Sequence, residues 1–230
     1  MAISSKIRLH NRTIELFLFS IILSSGLGLT SLNHILLTAN AQNVTATEAS
    51  QSDSKLDFRL SLRNLMTEQA VYTRNEIISV LGDLPDSDAV MQRLLKVGQD
   101  IANATVPYYG QETAKKLGDL LNQYTTIPVE GLNELRIGNA IGSQQRLEDW
   151  RIVADQISTL LAETNPAHPQ SEWKALFDNH IELARTQALE RRLNNYTADI
   201  EAFDEFLPQA LKIADTLADS IITKFPDKFQ

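Results

Sequence analysis

Cysteine is absent from the 230 residues, glycine occurs only nine times, proline seven times, and aromatic residues make up 7%. The missing cysteine excludes a disulfide-stapled scaffold and a thiol nucleophile. The low glycine and proline counts exclude a collagen-like chain, and 43% hydrophobic against 22% charged residues exclude a typical fully disordered one. Neither a G-x-S-x-G elbow, an H-E-x-x-H or E-x-x-H pattern, nor a glycine-rich phosphate loop occurs, so no nucleophile, metal site or cofactor is indicated. What remains is enough apolar sequence for one ordinary globular domain behind a distinct N-terminal segment.

That segment has three parts. Residues 1–12 carry Lys6, Arg8 and Arg12 without an acid, residues 16–29 are apolar and uncharged, and Ala39 and Ala41 take the small-x-small positions before Gln42. The pattern predicts a signal peptide at 1–41, with an uncleaved anchor as the alternative; the uncharged run is short for a membrane span. No cysteine stands beside the cleavage point for a lipid anchor, and no second apolar stretch of membrane length follows, so no membrane span is expected in the mature chain. The destination expected is the periplasm or the medium.

Residues 1–41 hold three of the 21 basic and one of the 29 acidic residues, which leaves 18 against 28 and a net charge near −10. Such a chain repels phosphate backbones, and no basic cluster with interleaved aromatics offsets the repulsion, so nucleic acid is not an expected partner. Asn43, Asn103 and Asn195 begin glycosylation sequons, which matter only where the glycosylating machinery exists. Residues 42–54 are polar, small and aperiodic and read as a disordered leader.

From Lys55 onward the apolar spacing is helical, and the fold class expected is all-α. Phe58, Leu62, Leu65, Met66, Gln69, Tyr72, Thr73, Ile77 and Leu81 trace one face until Gly82 and Pro85 end it. Further helices are expected at about 87–104, from 111 into Pro128, at 144–163, from about 171 to Leu193, and at 197–224. Pro128 and Pro208 are expected to kink or break theirs. Short connections then imply a six-helix up-and-down bundle over 55–230. Leu65, Leu120 and Leu176 can be set in register as three repeated hairpins, which aligns Gln69, Tyr124 and His180.

Three segments, LRNLMTEQAVYTRNEI, QDIANATVPYYG and IITKFPDKF, make residues 60–230 similar to a family of small exported bacterial all-helical proteins without an assigned activity. Members commonly show LRDLW, HVV, WTR, DIGNA, PYYG and FPDKF. Here Arg63, Leu65, Thr73, Arg74, Asp100, Ile101, Asn103, Ala104, Pro107, Tyr108, Tyr109, Gly110 and residues 225–229 match. Met66 and Gln69 stand where Trp and His are usual, and Tyr124 stands where a second His is common. If histidines bind a metal in that family, the resemblance implies that this chain has lost most of the cluster.

The candidate ligand-binding residues are Asp100, Asn103, Tyr108, His180, Arg74 and Arg185. Asp100, Asp155 and Asp215 recur at similar helical positions, where a short acid is a poor helix former, and therefore call for a partner, most simply Arg74 or Arg185. Asp100, Asn103 and Tyr108 could alternatively line a polar cavity. His180 lies on the stripe through Leu176, Phe177 and Ala184, where packing plus a hydrogen bond to another helix competes with ligand contact. Tyr108 and Tyr109 with Gly110 are expected to cap one end of the bundle, and Phe225 and Phe229 to fold back onto the same kind of layer. The function expected is a non-enzymatic binding or structural module; the alternative is a bundle that binds a small molecule or divalent metal. The partner expected is thus a protein or small molecule, with no cofactor.

Overall fold

The structure, a computed structural model, describes the backbone of residues 33–230 and side chains from Asp53 onward. The basic leader and the apolar run 16–29 therefore lie outside the described residues. The chain divides between Gln42 and Asn43, and the account below concerns the second part.

The described residues form five α-helices and one 3-10 helix, with no strand among them: α1 Asn33–Leu81, α2 Ser87–Arg136, α3 Ala140–Thr164, α4 Gln170–Arg192, α5 Tyr196–Lys224, and the 3-10 turn Pro226–Phe229. Five α-helices stand where six were expected. The difference lies at Gly110, whose φ of 80° and ψ of 166° are non-helical within α2. On either side of it α2 doubles back on itself: a Cβ on Gly98 would lie 3.5 Å from Leu121, and one on Gly118 would lie 3.3 Å from Ala102. Only glycine adopts that backbone cheaply, so Gly110→Ala is expected to cost about 1–3 kcal/mol in urea unfolding although the space beside it is open.

A second difference concerns 42–54, the expected disordered leader. α1 passes through it, because neither glycine nor proline interrupts 33–81 and nothing local ends the hydrogen-bond ladder. Ser54 donates to the Phe229 carbonyl at 2.8 Å. The prolines differ too: α2 continues through Pro128 and α5 through Pro208, with no non-helical dihedral at either.

Three turns close by the same device. At the end of α1, the amide of Leu84 donates to Ser79 and that of Asp83 to Val80; at the end of α2, Asn139 donates to Glu134 and Gly138 to Leu135; at the end of α4, Asn195 donates to Glu190 and Asn194 to Arg191. Each is a Schellman cap with a left-handed residue, here Asp83, Gly138 and Asn194. At the end of α2 the left-handed residue is a glycine, whereas at the end of α1 that position falls on Asp83 rather than Gly82.

Consecutive helices run antiparallel. Glu68 and Glu76 of α1 meet Arg93 and Ser87 of α2, Tyr124 meets Trp150 of α3, Arg151 meets Glu182 of α4, and the Leu176 carbonyl of α4 accepts from Gln209 of α5. α5 returns beside α1, where Arg63 pairs with Asp215 at 2.6 Å, Arg59 with Asp219, and Arg74 with Asp199 at 2.8 Å. Trp173, Phe206, Ile157, Ile181 and Ile221 are fully buried along the main core. Removing such surface from water is the principal stabilising term. Tyr108 stacks on Phe229 with ring centroids 5.3 Å apart and lies 4.9 Å from Phe58, and Tyr109 meets Phe225. The expected aromatic end layer is therefore present, built from the PYYG and FPDKF segments. A smaller cluster of Ile77, Val80, Leu132 and Ala188 lies apart from the main core.

Candidate functional site

Between the two apolar clusters the packing is interrupted by a cavity of about 230 Å³. α1 contributes Gln69, Thr73 and Glu76, the second arm of α2 contributes Tyr124 and Leu132, α3 contributes Leu147 and Trp150, and α4 contributes Ala184, Arg185 and Ala188. Gln144 and Arg185 are solvent-exposed members of this wall and mark its mouth. A smaller cavity of about 50 Å³ shares Gln69, Tyr124 and Thr125 with it and adds Trp173, Phe177 and His180.

Several residues of these walls carry polar atoms without partners among the described residues. Gln69 Oε1, Glu76 Oε2, Tyr124 OH and Trp150 Nε1 are buried without a hydrogen bond, as are Trp173 Nε1 and His180 Nδ1 around the smaller cavity. A buried donor or acceptor left unpaired costs about 1–3 kcal/mol, so such groups concentrated on one wall call for a reason. Glu76 is the most costly of them. It is 1% exposed, accepts only from Ser87 Oγ at 2.8 Å, and no cation pairs with it among the described residues. Burial raises its pKa, Ser87 acts against the shift, and Asp86 and Asp88 add to it. Asp199, equally buried, is held by two guanidiniums, Arg74 and Arg191. Burial also pushes the Tyr124 phenol well above its ordinary value, with Asp178 adding to the effect.

His180 is buried and packs as expected, its ring 4.3 Å from Phe206 and 6.2 Å from Tyr124. The expected hydrogen bond to another helix is not found among the described residues, where Nδ1 has no partner, and burial lowers its pKa to about 3. Gln69, Tyr124 and His180, aligned by the hairpin register, all border the smaller cavity.

The other candidates are scattered. Asp100 accepts from Lys96 one turn away and Asn103 from Gln99, both on the surface side of α2, while Tyr108 belongs to the end layer. Asp100, Asn103 and Tyr108 thus form no common cavity wall. Arg74 is bound to Asp199, and of the candidates only Arg185 borders the large cavity. The expected pairing of the recurrent aspartates with Arg74 or Arg185 is overturned: Asp155 accepts from Gln170, Asp215 pairs with Arg63, and Arg185 pairs with Glu182 on its own helix. A short aspartate reaches only what its own helix face meets, and those faces meet other partners. Glu76 and Trp150 are cavity residues that the sequence pattern does not distinguish from ordinary helix positions. The one available signal was Glu76 itself, an acid one position before Ile77 on the apolar stripe of α1.

Among the described residues no group of three or more histidines or acids could hold a metal ion, and no helix is long and apolar enough to cross a membrane. Comparison of the chain with protein-family models, with curated proteins and with solved structures found no match.

Proposed function

We propose that the protein is an exported, non-enzymatic binding module that holds one small, largely apolar molecule among α1, α2, α3 and α4. The observation that carries this reading is the 230 Å³ cavity, four of whose lining residues carry a buried polar atom with no partner among the described residues. A concave apolar site with a few converging polar groups is the usual form of a small-molecule site. Its volume exceeds the ~150 Å³ of an engineered apolar cavity that takes up benzene, so a substituted benzene or a bicyclic body is the right scale. Under the same proposal the chain is cleaved after Ala41 and works in the periplasm or medium as three helical hairpins, with α2 supplying one arm to each of two of them. The family resemblance carried by the PYYG and FPDKF segments belongs to this proposal as well.

n-Propylbenzene is a suitable probe because it has the apolar body without a polar head. At a hundred times its Kd it is expected to stabilise the fold by about 2.7 kcal/mol, read as a rise in the unfolding midpoint. Trp150 emission should change with it, since the indole borders the cavity. Filling the site from α4 with Ala188→Phe should abolish both effects. No binding to the unaltered protein, or undiminished binding to Ala188→Phe, overturns the reading.

A further inference from the structure

The fully buried carboxyl of Glu76 distinguishes among the molecules such a cavity could hold. The protein contains a direct comparison in Asp199, which has two guanidiniums within 3.1 Å. Among the described residues Glu76 has a single serine hydroxyl on Oε1 and nothing on Oε2. A buried acid without a counter-cation either remains neutral or receives its cation from elsewhere.

The surrounding charges oppose the bare anion and attract any cation that reaches it. Asp86 and Asp88 lie close enough to raise the cost of the anion and to deepen the negative potential a cation would meet. The two arginines of the cavity wall are already engaged, Arg146 by Glu130 at 3.2 Å and Asp149 at 2.9 Å, and Arg185 by Glu182 at 3.4 Å. Tyr124 and Trp150 both line the same space, with ring centroids 5.2 Å apart. Aromatic walls attract organic cations through their negative faces, most strongly where water is excluded. Carboxylate and rings thus offer complementary contacts to the head and body of one molecule.

We propose that the cavity takes an organic ammonium, a primary amine on an apolar or aromatic body, with the amine donating to Glu76 Oε2. This rests on the small-molecule reading above and gives that reading its ligand class. The amine supplies the charge that the fold leaves out at Glu76, while the hydrocarbon fills the space between the two apolar clusters. A carboxylate of the same shape meets Glu76 as a like charge and is excluded.

Three probes of nearly one shape separate the possibilities: 2-phenylethylamine, n-propylbenzene and 3-phenylpropionate, measured by calorimetry on the purified full chain at neutral pH. The amine is expected to bind at least tenfold more tightly than n-propylbenzene, and 3-phenylpropionate more weakly than either. In Glu76→Gln, which keeps the shape of the side chain and its contact with Ser87, the amine's advantage should disappear while n-propylbenzene binds as before. Retained n-propylbenzene binding in that variant also shows that the fold is intact; if the variant does not fold, the ranking of the three probes on the unaltered protein decides alone. Equal binding of amine and hydrocarbon, or a preference for the carboxylate, overturns the ammonium proposal and leaves the cavity reading standing. Failure of all three probes overturns both.

Discussion

Replacement of Arg74 by methionine is expected to cost about 3–5 kcal/mol of folding stability, among the largest effects of any single substitution in this protein. Asp199, which Arg74 holds, has a side chain only 1% exposed. Arg74 meets both carboxylate oxygens at 2.8 and 3.1 Å, reaches Gln187 Oε1 at 3.3 Å, and lies over the Phe203 ring at 4.9 Å. Its removal leaves a buried carboxylate with Arg191 alone, at 3.1 Å on one oxygen. Lysine should not rescue the loss, because an ammonium cannot reproduce the two-pronged contact or the stacking. Urea unfolding of Arg74→Met and Arg74→Lys measures both effects. A loss under about 1 kcal/mol for methionine, the scale of an exposed pair such as Lys96–Asp100, would show that the buried pair contributes little.

The second large effect is a dependence on pH through His180. Its folded pKa of about 3 lies below the ordinary imidazole value, because the charged ring cannot be hydrated among Phe206, Tyr124 and Phe177. The unfolded chain therefore binds this proton more readily than the folded one. The contribution is fully present above about pH 6.5 and is lost as pH falls from there toward 3. It amounts to about 2 kcal/mol between pH 7.5 and pH 5. Leucine at position 180 removes the titrating group and strands no partner among the described residues, where Nδ1 has no hydrogen bond. His180→Leu should thus be nearly as stable as the unaltered protein at pH 7.5 and clearly more stable than it at pH 5. Glutamine, in contrast, places an unpartnered amide in the same space and should be about 1–3 kcal/mol less stable than His180→Leu at both pH values. These outcomes reverse what a buried, hydrogen-bonded histidine would give. The same pH slope in His180→Leu as in the unaltered protein would assign the dependence to other groups.

Much of the fold was legible because it depends on local rules. Apolar residues at three- and four-residue spacing, without alternation, specify helices that bury one face, and Leu62, Met66, Ile77, Trp150, Ile157, Leu176 and Phe177 are buried as that spacing requires. Gly138 and Gly110 mark turns by backbone freedom alone, and PYYG with the C-terminal phenylalanines announced an aromatic end layer. The exceptions have local causes as well. Asp83 takes the left-handed position because a short acid tolerates it almost as asparagine does. Residues 42–54 are polar enough to read as a leader, yet they contain nothing that breaks a helix.

The partners of the polar residues were decided only in three dimensions. Arg74 and Asp199 stand 125 positions apart, and no spacing rule selects Asp199 over Asp100, Asp155 or Asp215, since any acid on a helix face satisfies the same local preferences. The choice follows from how far α1 and α5 are offset along their common axis and from which faces they turn to each other. Both are set by the packing of the whole core. Glu76 shows the same division. In sequence it is an ordinary helix-favouring acid beside an apolar stripe, and it becomes a buried, cation-free carboxyl only when α2, α3 and α4 close around it and leave space between two apolar clusters. Helix class and most turns were determined along the chain because backbone geometry and side-chain periodicity act over a few residues. The cavity and its charge were determined across the chain, because burial is a property of what the other helices bring.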